Sequence, residues 1–161
     1  MGEGTGTLPR LYESLAPRMG DPANFAPLTP LAFLARTAEV HPDHESVVYE
    51  ERRYTWRETE RRCQALARAL QGLGIGAHET VSVLLFNTPE MLECHFAVPL
   101  SGAVLNAINV RLEADTIAYI MDFAEARALI VDRELLPLAL EGLRALKDGG
   151  REIPLILVDD P

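Results

Sequence analysis

The sequence predicts an α/β fold: a doubly wound, mostly parallel sheet with helices on both faces, preceded by an N-terminal arm and a short hairpin. Three observations lead there. Short apolar runs, rich in β-branched residues, recur at 81–86, 103–105, 128–131 and 153–158. Such runs suit strands covered on both faces. Between them, apolar residues return at three- and four-residue intervals, the spacing of a helix with one buried stripe. After the hairpin the order is therefore α-β-α-β-α-β-α-β, and right-handed crossovers turn that alternation into an open parallel sheet.

Residues 1–28 carry four of the chain's 11 prolines, with Gly2, Gly4 and Gly6. They lack sustained periodicity and are expected to form a surface arm, partly disordered, ahead of a single domain over 29–161. Thr29 and Pro30 read as cap and first residue of a helix, with Leu31, Leu34, Ala35 and Ala38 as its buried stripe and His41-Pro42 as its stop. Ser46–Glu50 and Arg53–Thr55 form a hairpin. Its turn at Glu50-Glu51-Arg52 lacks the Gly or Asn that tight hairpins favour.

Thr55-Trp56-Arg57-Glu58 is a capping box, in which hydroxyl and carboxylate each satisfy the other residue's backbone N–H. Trp56, Thr59, Cys63, Leu66, Ala67 and Leu70 then share one helical face, and Glu58 and Arg62 are placed to pair at i,i+4 on the other side. Gly72-Leu73-Gly74-Ile75-Gly76 superficially matches a dinucleotide-binding turn. It follows a helix and precedes a strand, the reverse of what pyrophosphate binding needs, so it reads as a helix stop and loop.

The unit Thr80 to Leu112 is the centre of the chain. A strand over 81–86 leads to Asn87-Thr88-Pro89, where Asn87 or Thr88 can cap a helix that Pro89 begins. Met91, Leu92, His95, Phe96 and Val98 set that helix's apolar spacing. Ser101-Gly102 ends it, and Ala103-Val104-Leu105 reads as a second buried strand. Residues 106–111 then form a loop at the carboxyl end of that strand, the side on which parallel sheets bind ligands. Ile117, Ile120, Met121 and Ala124 mark the next helix, weakly capped because Glu113 stands at its start. Strand 128–131 exits through Asp132-Arg133. Leu136, Ala139, Leu140, Leu143 and Leu146 stripe a last helix that Gly149-Gly150 stops, before the final strand.

Net charge is −9, from 24 acidic and 15 basic residues. An acidic surface repels phosphate backbones and anionic lipids, which argues against nucleic-acid or membrane-surface binding. The basic doublets Arg52-Arg53 and Arg61-Arg62 have acids close by and read as solvated charges. Cys63 and Cys94 lie on apolar helical faces without a metal-ligand pattern, as small buried hydrophobes do. Adjacent residues on a helix point about 100° apart, so Cys94-His95 is no nucleophile–base pair. His95 is expected to be a packed histidine. No signal-peptide pattern opens the chain and no apolar run spans a bilayer, so a soluble cytoplasmic protein is expected.

Arg53-Tyr54-Thr55-Trp56, Asn87-Thr88-Pro89-Glu90, His95-Phe96-Ala97-Val98-Pro99, Gly102-Ala103-Val104-Leu105 and Ile108-Asn109-Val110-Arg111-Leu112 occur in that order. With them, residues 28–160 resemble the beginning of an acyl-CoA synthetase of the AMP-binding, adenylate-forming superfamily, in its medium-chain, acyl-activating branch. The resemblance implies a two-step reaction. A carboxylate attacks the α-phosphate of ATP to give an acyl-adenylate, and the thiol of coenzyme A then displaces AMP. It also implies ATP, Mg²⁺ and coenzyme A as cofactors of the complete enzyme, a carboxylic or fatty acid as substrate, and the remainder of the ligase polypeptide as partner.

The phosphate-binding Gly/Ser/Thr-rich loop of that family has no counterpart here, and Lys147 is the only lysine. The chain is thus expected to be an inactive N-terminal piece that binds no cofactor by itself and has no catalytic residue. Its exposed apolar surface would favour homo-oligomers. Within a complete enzyme the strand-exit residues Asn109, Arg111 and Arg133 are the cofactor-binding candidates, the arginines meeting coenzyme A phosphates. The competing reading pairs Arg111 with Glu113 or Asp115 and leaves Asn109 to shape a turn. The alternative for the whole chain is a stand-alone flavodoxin-like module for a small ligand or a protein partner.

Overall fold

The computed structural model describes residues 28–159. The arm expected over 1–28 therefore lies, all but Leu28, outside the described residues. Helix α1 spans Pro30–Val40. The hairpin strands are β1 (Glu45–Tyr49) and β2 (Arg52–Thr55), and α2 runs Trp56–Gly72. The alternating part comprises β3 (Thr80–Leu84), α3 (Pro89–Ser101), β4 (Val104–Ala107), α4 (Ala114–Phe123), β5 (Ala126–Asp132), α5 (Leu136–Asp148) and β6 (Leu155–Val158). A short 3₁₀ turn, Arg133–Leu135, separates β5 from α5.

The four strands of the alternating part form one sheet in the order β4-β3-β5-β6, parallel throughout. Side chains alternate across it. Val81, Val83, Ala128 and Ile130 pack under α2 and α3 with Leu70, Cys94 and Val98. Leu84, Leu129 and Val131 pack on the opposite face with Ile117 and Met121 of α4 and Ala139 and Leu146 of α5. Burial on both faces is why β3 and β5 read as apolar runs and not as alternation. Each fully buried Leu, Ile or Val contributes roughly 1.5–3 kcal/mol of burial. Helix α1 forms an outer layer, seating Leu31 against Ala67 and Leu100, and Leu34 against Cys63 and Ala97.

The helix starts follow the sequence closely. Thr29 accepts from the Ala32 amide at 3.2 Å, with Pro30 first in the helix. In the α2 capping box, Thr55 Oγ1 accepts from the Glu58 amide at 3.3 Å and Glu58 Oε2 accepts from the Thr55 amide at 2.8 Å. Replacing Thr55 by Ala removes one side of this box and is expected to cost about 1 kcal/mol, read as a lowered midpoint in a thermal melt. The Thr55 amide, and after it the Thr55 hydroxyl, which donates to Glu58 Oε2 at 2.9 Å, hold the Glu58 carboxyl below its usual pKa. A depressed acid adds stability above its unfolded pKa and loses it as pH falls through the folded one. Glu58→Gln is therefore expected to flatten the acid limb of the wild-type stability curve below about pH 4.5.

At the end of α3, Gly102 adopts φ +93°, and a Cβ there would stand 3.3 Å from the Ala77 backbone nitrogen. Only glycine fits that close, left-handed stop. The hairpin turn meets the same demand without glycine, and Glu50 takes φ +49°.

Four expectations fail. Ala103–Leu105 is not a strand buried on both faces: β4 is an edge strand with Val104 exposed. Thr88 holds the N-cap position of α3 without making a side-chain cap bond. The residues that α3 buries are Pro89, Glu93, Cys94, Ala97, Val98, Leu100 and Ser101, whereas Leu92 and His95 are exposed. That helix is apolar nearly all round, and periodicity alone cannot set its phase. Finally, Arg62 bonds to Glu93 and Glu90 of α3, while Glu58 serves the cap.

Candidate functional site

A parallel sheet with every strand running one way delivers all its strand exits to one edge. Here that edge carries Asn87 and Thr88 after β3, Asn109 and Arg111 after β4, Asp132 and Arg133 at the end of β5, and Asp159 after β6. The β4 exit is well held. Ile108 is buried and donates to Val83 O at 2.9 Å, so the loop leaves in register with β3. Asn109 Oδ1 accepts from the Arg111 amide at 3.0 Å, and the Leu112 amide bonds to Asn109 O at 3.3 Å. Asn109 thus shapes the turn, as the competing reading had it.

Arg111 departs from that competing reading. Its side chain is exposed, and among the described residues it pairs with neither Glu113 nor Asp115. Arg133 differs. Its Nε and Nη2 donate to the two carboxylate oxygens of Asp159 at 2.5 and 2.7 Å, a fork-on-fork pair in solvent. That pairing raises the Arg133 pKa and holds the Asp159 carboxyl below its ordinary value. Asp132 is buried and caps the 3₁₀ turn, accepting from the Glu134 amide at 2.8 Å. Arg111 and Arg133 leave strands separated by β3, two inter-strand spacings or roughly 10 Å. The fold puts the three candidates on one edge without joining them into a single cluster.

A second polar group escaped the sequence reading. Arg62 of α2 grips Glu93 through both Nε and Nη2, and its Nη2 also reaches Glu90 Oε1 at 3.2 Å. Arg52 of β2 donates to the same Glu90 oxygen at 3.1 Å. The Arg52 and Arg62 guanidinium carbons lie 5.0 and 4.7 Å from the Tyr49 and Tyr54 ring centroids. Two cations, two carboxylates and two rings therefore tie the hairpin and α2 to the start of α3. Burial pushes the Glu93 carboxyl up even though Arg62 pulls it down. The available sequence signal was two acids three apart on an apolar helix, a spacing that puts both on one face.

Beside this cluster, β1 and the start of α3 flank a cleft of about 470 Å³ lined by Val47, Tyr49, Pro89, Met91, Phe96 and neighbours. His95 stands at this cleft with Nδ1 2.8 Å from Met91 O, exposed and not packed as expected. Cys63 and Cys94 are free and buried, and burial raises both thiols to about 12, which leaves no thiolate nucleophile. Among the described residues, no three His, Cys, Asp or Glu side chains gather as metal ligands. Nor is any described helix long and apolar enough to cross a membrane.

Comparison with known proteins places this geometry. The family described as AMP-binding enzyme matches residues 34–160. A peroxisomal acetate/butyrate–CoA ligase of Arabidopsis thaliana is 46% identical over 140 residues, covering 85% of this chain and 25% of the relative. A peroxisomal benzoate–CoA ligase of the same plant is 44% identical over 140 residues, covering 86% and 24%. Among solved structures, an anthranilate CoA ligase in complex with anthranoyl-AMP superposes with a TM-score of 0.73 at 25% identity, over 80% of this chain and 24% of that one. The chain spans about a quarter of the length of the curated relatives it matches.

Proposed function

This chain belongs to the AMP-binding enzyme family, and from that premise we propose that it forms the first α/β wall of an acid–CoA ligase. In the complete enzyme a carboxylate is activated with ATP and Mg²⁺ as an acyl-adenylate and passed to coenzyme A. The wall is inactive alone. One observation carries this reading: the family match runs through the described sheet, while the sequence holds no Gly/Ser/Thr-rich phosphate loop with a lysine. The single lysine cannot substitute. Lys147 lies near the carboxyl end of α5 and bonds to Glu152 at 3.3 Å, at the amino edge of the sheet, away from the strand exits.

The wall's contribution is an edge that places a cation. Arg111 extends from a turn whose backbone is pinned by Asn109 and Ile108, so its point of attachment is fixed before it meets a phosphate. We assign it, with Asn109 as its positioning residue, to the phosphates of coenzyme A, and leave Arg133, whose fork is filled by Asp159, outside that assignment. Titration with coenzyme A at low salt of this sequence embedded in a complete ligase tests the assignment. Arg111→Ala is expected to weaken binding about 10-fold, the scale of one charge-assisted hydrogen bond. Unchanged affinity would remove Arg111 from the site.

The choice of acid lies elsewhere in the polypeptide. Relatives named for acetate or butyrate and for benzoate are nearly equally similar to this chain. Val48, Val104, Tyr119 and Phe123 are more than half exposed, and we expect them to drive self-association when the rest of the ligase is missing. Light scattering checks this, and a monomer at every concentration would refute it. The cytoplasm is the compartment we assign. Peroxisomal sedimentation of the complete protein in cell fractionation would replace it with the compartment named for the two plant relatives.

A further inference from the structure

The two arginines of the carboxyl edge are not equivalent, and the difference lies in one carboxylate. Arg111 has no ion-pair partner among the described residues. Arg133 has both prongs of its fork filled by Asp159, in the geometry a phosphate would use. We propose that Asp159 is a selectivity residue of the carboxyl edge, withholding Arg133 from anions so that phosphate is received at Arg111 alone. The proposal extends the reading of the edge as a phosphate-receiving surface, but its test does not depend on coenzyme A.

The charges around the pair support this. Asp132 is buried one residue before Arg133, and its Oδ1 is committed to the Glu134 amide. Glu134 follows directly and is exposed. Among the described residues the β5 and β6 exits therefore present one guanidinium against three carboxylates, two of them solvent-facing. A phosphate approaching there must displace Asp159 and then remain beside it. At the β4 exit the same phosphate meets an open guanidinium. The Arg133–Asp159 pair is itself exposed on both sides, so it is a weak contact that a multivalent anion can open. The carboxylate thus biases the site without sealing it.

Inorganic pyrophosphate is the probe, titrated at low ionic strength into wild type, Asp159→Asn, Arg133→Ala and the double variant. Asp159→Asn keeps the shape but turns one acceptor oxygen into an N–H₂ donor, so the paired acceptance from Arg133 is lost, and melting curves confirm that all four fold alike. Freed from its carboxylate, Arg133 is expected to tighten pyrophosphate binding about 3- to 5-fold, the scale of an exposed ion pair. That gain must vanish in Asp159→Asn/Arg133→Ala, because the cycle isolates the Arg133-dependent part. Equal affinity of wild type and Asp159→Asn overturns the proposal. So does a gain that persists without Arg133, which would reflect net charge alone. Coenzyme A titrated into this sequence embedded in a complete ligase separates the two claims: affinity unchanged by Arg111→Ala, with the pyrophosphate cycle intact, removes the coenzyme A assignment and leaves the role of Asp159 standing.

Discussion

Arg62→Ala is expected to destabilise the fold by about 3 kcal/mol at neutral pH, lowering the melting midpoint by roughly 10 °C. Arg62 supplies two hydrogen bonds to Glu93, which is 6% exposed, and one to Glu90. Its removal leaves a buried carboxylate beside Glu90 without the hydrogen bonds that neutralised it, and an orphaned buried charge costs more than the pair was worth. Arg62 is itself 38% exposed, so the loss sits at the low end of that for buried pairs. The loss carries a pH signature. Glu93 already titrates above its ordinary value because of burial, and losing Arg62 raises it further. A carboxyl raised above its unfolded pKa adds stability below that unfolded value and loses it as pH rises through the folded one. The deficit of Arg62→Ala is therefore expected to shrink as pH falls toward about 4.5. Denaturant titrations at several pH values would show it, and a pH-independent deficit would contradict a buried, charged Glu93.

Leu84→Ala is expected to cost about 3–4 kcal/mol, the scale of an unrelaxed cavity in a packed core. Leu84 is fully buried on β3 and packs with Ile117, Met121 and Leu129 between the sheet and α4. The informative control is Leu92→Ala. Helical spacing in the sequence puts Leu92 on the packed stripe of α3, whereas the structure leaves it 40% exposed, so its removal is expected to cost under about 0.5 kcal/mol. Parallel urea titrations of the two variants give both values. Similar losses would mean that α3 is rotated about its axis.

What the sequence made legible follows from which interactions are local. Thr29-Pro30, Thr55 with Glu58, and Gly102 act within one turn of chain, and each does what its type and spacing predict. Continuous apolar runs such as 128–131 imply two covered faces, and β5 has them. What stayed hidden is set by long-range partners. Glu58 is nearer to Arg62 in sequence, but α3 brings Glu93 and Glu90 to that guanidinium instead. The exposed face of α3 and the edge position of β4 depend on neighbours that local pattern does not encode. At the candidate site, strand exits placed Asn109, Arg111 and Arg133 on one edge. The engagement of Arg133 needed Asp159, 26 residues away, and no local spacing announces such a pair.

Pyrophosphate release in the presence of ATP, Mg²⁺, coenzyme A and short-chain or aromatic acids tests the division of labour most directly. This polypeptide alone is expected to release none above the rate without protein, and the same sequence embedded in a complete ligase is expected to turn over. Acid-dependent release by the isolated chain would show that it carries adenylating machinery of its own, and would contradict its reading as a supporting wall.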